Sequence, residues 1–183
     1  MVRIKHRYLL VNVLYPQDTS NAKHNDEKLP WSVQFRRPSS DRFEAGFIVR
    51  LVRNGVAELF GDYGAGVVSG SVKIIYCSSA TSTAIIRVAR AHYRLVWAAL
   101  CFVTRLPKPI DQPCVIHVLR VSGTIKKAEE EAIRRARLTI LRASKATING
   151  NPIAGADATD HEDLQMLDNI IDHDADDDED END

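Results

Sequence analysis

No lysine or arginine follows Lys145. Residues 151–183 hold 14 acidic residues and no basic one, whereas residues 1–150 hold all 24 basic residues against 11 acidic ones. The formal net charge of −1 therefore joins a strongly basic body to an acidic tail, an asymmetry that points toward nucleic acid. Long apolar runs are also missing. The longest, Leu95 to Val103, is far short of the roughly 20 residues that span a bilayer, so no membrane is expected among the partners. The basic start (Arg3, Lys5, Arg7) leads into an apolar stretch broken at Asn12 with no small-residue cleavage site, which does not read as a signal peptide. Cysteine is scarce. Cys77, Cys101 and Cys114 are odd in number and never spaced CxxC, and are expected to be reduced core thiols of an intracellular protein.

Catalytic templates are missing as well. The chain has no GxSxG elbow, Walker loop, HExxH or Cys/His cluster. Gly61-Asp62-Tyr63-Gly64 matches the bare GxxG of an RNA-binding KH loop, but that loop joins two helices and favours basic residues. Here the segment is expected to be a simple helix-terminating turn. Asp172, Asp174 and Asp176 imitate the start of a calcium loop, yet Asp177 stands where glycine is required. His161 and His173 belong to the same acidic surroundings. His92 and His117 read as ordinary hydrogen-bonded residues, and Tyr93 and Trp97 as core.

The body, residues 1–146, suffices for one ordinary core. Residues 3–15 alternate, with Arg3, Lys5, Arg7, Leu9, Val11 and Val13 on one side of a first strand. Residues 16–40, broken by Pro16, Pro30 and Pro38, read as an inserted loop in which Trp31, Val33 and Phe35 alternate. Ser39, Ser40 and Asp41 offer N-caps for a helix over about 42–60 with the stripe Ile48, Val52, Val56 and Leu59, stopped by Gly61, Gly64 and Gly66. Strands over 67–77 and 83–89 form a hairpin. A helix over 91–105 has the core stripe Tyr93, Val96, Trp97 and Leu100. Its other side, Leu95, Ala98, Ala99 and Phe102, is also apolar and is expected to meet a protein partner. A fourth strand covers 114–121. The last helix, about 124–145, turns Ala128, Ala132, Ala136, Ile140 and Ala143 inward. The tail, 147–183, ends in eight acidic residues among ten and is expected to be disordered, with a short helix near 161–171 allowed. The order βαββαβα predicts an α+β, ferredoxin-like (RRM-like) sandwich: a four-stranded antiparallel sheet with helices on one face. That topology hosts many functions and decides none.

The basic residues supply the chemistry. Arg3, Lys5 and Arg7 share one side of the first strand, Arg87 and Arg90 end the third, and the last helix carries Lys126, Lys127, Arg134, Arg135, Arg137, Arg142 and Lys145. Such arrays attract phosphate, which Arg grips with two hydrogen bonds. Glu129, Glu130 and Glu131 partly neutralise the helix, leaving RNA, protein or water as its surroundings. The strand trio has no nearby acid, and favours phosphate contact over protection of a sheet edge. Thr83 to Ala89 carries no aromatic residue, so bases are not expected to stack on the sheet; backbone and shape recognition is expected instead.

Four strings, in order, resemble a known family: Met1-Val2-Arg3-Ile4-Lys5-His6-Arg7-Tyr8-Leu9-Leu10, Gly61-Asp62-Tyr63-Gly64, Thr81-Ser82-Thr83-Ala84-Ile85-Ile86-Arg87 and Val121-Ser122-Gly123-Thr124-Ile125-Lys126-Lys127. They look like the small processing-of-precursor-RNA subunits, number five by name, shared by eukaryotic ribonuclease P and ribonuclease MRP, over residues 1–145. The resemblance implies a non-catalytic subunit of RNA-based endonucleases that remove the 5′ leader of precursor tRNA and process ribosomal precursor RNA. It would brace the catalytic part of the RNA near the leader path, beside a TIM-barrel-like subunit, in the nucleus and nucleolus. No cofactor is expected on the protein itself; metal ions, magnesium foremost, would serve the RNA. The positions carried over are Arg3, Lys5, Arg7, Tyr8, Arg87, Ser122, Gly123, Thr124, Lys126 and Lys127; the charge pattern adds Arg90. The rival readings are a protein adaptor or acidic-tailed chaperone, and an acylphosphatase-like enzyme, for which the anion loop after the first strand is missing.

Overall fold

In the first strand, alternating apolar residues face two different cores. The computed structural model describes residues 4–16 and 35–148, with only the backbone of 141–148. Its elements run β1 (His6–Leu14), α1 (Ala45–Ser69), β2 (Lys73–Ser78), β3 (Thr83–Ala89), α2 (Tyr93–Phe102), β4 (Val115–Ser122) and α3 (Ile125–Ile148). The strands make one antiparallel sheet in the order β2-β3-β1-β4, the ferredoxin-like arrangement expected. The chain divides into two units, Met1–Arg134 and Arg135–Asp183. In the second, the described residues continue the helical backbone, and the Thr139 hydroxyl donates to the Arg135 carbonyl at 3.0 Å. Arg3, the segment 17–34 with Trp31 and Val33, and the tail from 149 with its histidines and aspartates lie outside the described residues, as do the side chains of Arg142, Ala143 and Lys145.

Leu9, Val11 and Val13 join Ile86, Val88 and residues of α1 and α2 in the main core. Leu10, on the opposite side of β1, packs with Ile85 and Ala128 in a second cluster, flanked by Tyr8, Ile75, Leu119 and Ala132. The start of α3 therefore covers the other face of the sheet, and helices on one face only is corrected. The cause is the apolar second face itself. Burying a Leu or Ile side chain is worth about 1.5–3 kcal/mol each, and the small Ala128 lets a helix seat closely on it. At the far end of β1 a buried chain of hydroxyls ties residues 37–39 to the sheet: Tyr15 Oη lies 2.6 Å from Ser39 Oγ, Ser39 donates to Ser82 Oγ at 2.9 Å, and Ser82 donates to the Arg37 carbonyl at 2.9 Å. Burial pushes the Tyr15 phenol pKa up.

Further expectations change. The first helix does not stop at Gly61. Gly61 adopts φ +60° inside it, a kink after which the helix resumes to Ser69, so β2 begins only at Lys73. Val68, Val72 and Tyr76 fit a strand and a helix alike, since four-residue spacing satisfies both periods. The helix's N-cap is Glu44, with no side-chain cap bond, not one of the residues 39–41, and Leu59 is exposed. In α2 the buried residues are Val96, Ala99 and Leu100, while Trp97 is 41% and Phe102 70% exposed. The buried face is rotated so that Ala99 lies against Gly55 of α1, where a Cβ would be in ordinary contact, 3.6 Å from the Ala99 Cβ. In α3, Ala136 and Ile140 are exposed. Each four-residue step overshoots a turn by about 40°, which carries the alanine series off the buried face. Of the free cysteines, Cys114 is buried, its thiol pKa pushed up to about 11 by burial, but Cys101 is exposed and is no core thiol.

The kink makes Gly64 a packing requirement. A Cβ there would stand 2.6 Å from the Phe60 Cβ and 2.9 Å from Val56 Cγ1, whereas Gly66 has nothing within 4 Å. Gly64→Ala is expected to destabilise by about 1–3 kcal/mol through overpacking. Gly66→Ala is expected to stabilise by up to about 1 kcal/mol through helix propensity. Thermal melts of the two variants should move in opposite directions; equal shifts would mean that the second half of α1 is not packed this way.

Candidate nucleic-acid interface

The start of β1, the end of β3 and the end of β4 meet at one end of the sheet, because β1 runs antiparallel to both neighbours. The register sets one row across all four strands: Ser122, Tyr8, Arg87 and Lys73. Tyr8 packs with Leu10 and Ile85, so this row lies on the face covered by α3. The opposite side carries Arg7, in alternation with Leu9 of the main core. Beyond the strands, the Arg90 N–H donates to the Lys5 carbonyl at 2.9 Å, which brings those two residues side by side. Gly123 and Thr124 follow directly from β4, and the Thr124 hydroxyl caps α3 by accepting the Lys127 N–H at 3.4 Å.

The sheet end thus gathers Lys5, Arg7, Tyr8, Arg87, Arg90, Ser122, Gly123, Thr124, Lys126 and Lys127 out of four separate elements. Arg3 lies outside the described residues. Among the described residues no carboxylate pairs with Lys5, Arg7, Arg87 or Arg90. The basic residues of α3 differ. Glu131, buried, accepts from Arg134 Nε and Nη2 at 2.9 Å each and from Arg120 Nη1 at 3.4 Å. Lys126 Nζ lies 3.7 Å from Glu130, an exposed pair worth at most about 1 kcal/mol. Neutralisation of this helix by its acids is as expected, and it is concentrated on Glu131.

Arg87 stands apart. It is half-buried in the sheet, and its Nε is fully buried with no hydrogen-bond partner among the described residues. Leaving a buried donor unpaired costs about 1–3 kcal/mol, and more when the group is charged. On the main-core side, Arg7 Nη1 would stand 2.9 Å from a Cβ at Gly123, so the guanidinium lies against bare backbone. The Tyr93 phenol is more acidic than usual, first because Arg94 Nε donates to it at 3.5 Å, with the charges of Arg94, Arg7 and Arg90 adding to the effect.

Sequence reasoning assigned Tyr93 and Trp97 to the core and passed over Arg94 and Lys73. Arg87, Arg90 and Arg94, spaced by three and four from a strand end into a helix start, were the available signal. The expected protein-docking side of α2 is not brought together as a surface. Ala99 is buried against Gly55, and Leu95 packs against the main core. Ala98 is half-buried, and Phe102 alone of the four is exposed.

Residues 7–133, from the paired part of β1 to the start of α3, match the Rpp14/Pop5 family. The chain belongs to that family. Among similar proteins is the Schizosaccharomyces pombe "Ribonuclease P/MRP protein subunit POP5", 44% identical over 140 residues, covering 76% of this chain and 91% of the relative. The Saccharomyces cerevisiae protein of the same name is 31% identical, covering 80% of this chain and 85% of its own. The Homo sapiens one is 32% identical, covering 77% and 76%. A chain from a "Cryo-EM structure of yeast Ribonuclease MRP" aligns over 94% of this chain and 93% of its own at 11% identity with a TM-score of 0.45, too slight a likeness to carry weight. Within the Rpp14/Pop5 span lie all the site residues named above from Arg7 to Lys127.

Two outcomes are expected. Arg87→Met keeps the stem and removes the unpaired N–H; the melting temperature should hold or rise, while RNA affinity falls. A drop of several degrees would make Arg87 structural. Replacing Arg3, Lys5 and Arg7 together with Ala should lower the slope of log K against log salt by up to about three. An unchanged slope would remove phosphate contact from this strand.

Proposed function

We propose that the chain is a non-catalytic protein subunit of the ribonucleoprotein endonucleases ribonuclease P and ribonuclease MRP, acting in precursor-tRNA 5′ leader removal and ribosomal precursor RNA processing. The observation that carries this reading is the sheet end where Lys5, Arg7, Arg87 and Arg90 gather on and just beyond two adjacent strands, with no carboxylate partner among the described residues. Unpaired cations held in fixed register suit a polyanion, because each phosphate they neutralise releases counterions. Membership of the Rpp14/Pop5 family and the names of the relatives support the same reading.

In this reading the subunit braces the catalytic part of the RNA near the path of the leader, and metal ions belong to the RNA. Its contacts with other subunits, a TIM-barrel-like one among them, use the apolar side chains left exposed on α1 and α2: Leu59, Phe60, Tyr63 and Phe102. The particle would work in the nucleus and nucleolus. A protein adaptor without RNA would account for those apolar side chains but leave the basic end without a counterpart.

The test is to tag the chain in its own cells, purify it under mild salt and sequence the bound RNA. One or two long structured RNAs are expected, with precursor-tRNA cleavage that micrococcal nuclease destroys. No enriched RNA, or cleavage that survives the nuclease, would return the adaptor or enzyme reading.

A further inference from the structure

Between α2 and β4 lies an open groove of about 460 Å³, within the size range of small-molecule sites. Val118 and Val121 form its apolar floor, Tyr93 and Trp97 stand on the α2 side, and Arg7 and Gly123 close one end. The β1–β4 register explains its shape. Leu10 pairs with Arg120 and Val11 with Val118, so Leu119 is an extra residue, a bulge in β4 beside the groove. Bulges of this kind re-aim side chains next to binding sites.

We propose that this groove takes one nucleotide of a single-stranded RNA segment, with its base stacked on Trp97 and an adjoining phosphate on Arg7. The proposal rests on the reading of the chain as an RNA-binding subunit and specifies which form of RNA this surface takes. Trp97 is the first reason. It is 41% exposed although its neighbours Val96, Ala99 and Leu100 are buried, so a large ring faces the groove where a helix packing on a sheet has no need of one. Base–aromatic stacking tolerates any sequence, since every base has a π-face.

Charge is the second reason. Among the described residues no acidic side chain lines the groove. Arg7, Arg90 and Arg94 all act on the Tyr93 phenol, which marks a positive potential at the groove's mouth. Arg120, also at the groove, is engaged with Glu131. Gly123 is the third. With no Cβ it leaves room for the Arg7 guanidinium, since a Cβ would stand 2.9 Å from Nη1, and it lets a ligand approach the backbone. A base in a duplex has both faces covered by its neighbours, so a groove that offers one ring selects unpaired RNA. A protein side chain could also lie on Trp97, but a rim whose charged members among the described residues are arginines favours a phosphodiester over a peptide.

The test uses the full chain carrying Trp31→Phe, which leaves Trp97 as the sole tryptophan. A mixed-sequence single-stranded RNA hexamer should quench its fluorescence saturably, and the same hexamer in a duplex should not. Trp97→Leu should weaken hexamer binding roughly 5- to 150-fold, and Trp97→Phe should restore most of it. Arg7→Gln should lower the salt slope by about 0.7. Affinity of the Trp97→Leu variant for long structured RNA should stay within about twofold. If the hexamer fails to quench while structured RNA still binds, the groove proposal falls and the subunit reading stands. If Trp97→Leu keeps the hexamer but loses a protein subunit from the tagged particle, the groove is a protein seat and the proposal is overturned. If neither RNA binds, the subunit reading falls and takes the groove with it.

Discussion

β1 is the constraint on which the rest depends. It is hydrogen-bonded on both sides, to β3 and to β4, so its backbone is satisfied without water. Its side chains alternate between two cores, Leu9, Val11 and Val13 into one and Leu10 into the other. A slip of one residue would exchange those sets and bury polar ones instead, which fixes the register firmly. That register is also what assembles the candidate site. Arg87 stands opposite Tyr8 only because Leu9 is locked opposite Ile86, and Gly123 lies near Arg7 only because Leu9 is locked opposite Val121. The hydrophobic alternation inside the sheet thus dictates where the cations at its end must go.

Two kinds of cation result, and they have different physics. Arg134 and Arg120 are held by the buried carboxylate of Glu131. Removing Glu131 would cost stability, and a phosphate reaching those guanidiniums would first have to compete with a desolvated, multiply bonded partner. Lys5, Arg7 and Arg90 have no such partner among the described residues, and their attraction to an anion is opposed only by water and salt. Counting basic residues along α3 therefore overstates what the helix can offer. The shorter list at the sheet end understates nothing.

The sequence made some of this legible for definite reasons. β1 and β3 alternate without ambiguity, and their pairing leads to the sheet order. α1 and β2 were misjudged because Val68, Val72 and Tyr76 fit both periods and because three nearby glycines look like a stop. In the structure Gly61 is a kink, and Gly64 is a contact that only glycine fits. The buried face of α2 was set one step off because the residue that turns inward there is the small Ala99 rather than Trp97, and hydrophobicity hardly registers so small a side chain. That error hid Trp97, since a large aromatic at helical spacing counts as core until the helix's rotation is known. The cations were visible as charges. Their grouping was not, because it joins residues more than a hundred positions apart.

The sheet end is also a place where local rules are broken without gain inside the free chain. Arg87 buries a donor with no partner among the described residues, and three guanidinium charges act on one phenol, so like charges are gathered at one place. Elsewhere in the unit the corresponding groups are matched: the Tyr15, Ser39 and Ser82 hydroxyls satisfy one another, and Glu131 satisfies its arginines. Proteins tolerate such costs where binding later offsets them. A polyanion would relieve the mutual repulsion about Tyr93 directly. Relief at Arg87 requires an acceptor that reaches the sheet from the side of α3, so the two faces of β1 would be engaged from different directions. Under the proposed function, RNA would therefore wrap the start of β1 rather than lie flat on the sheet, consistent with a β3 that offers no aromatic residue for stacking.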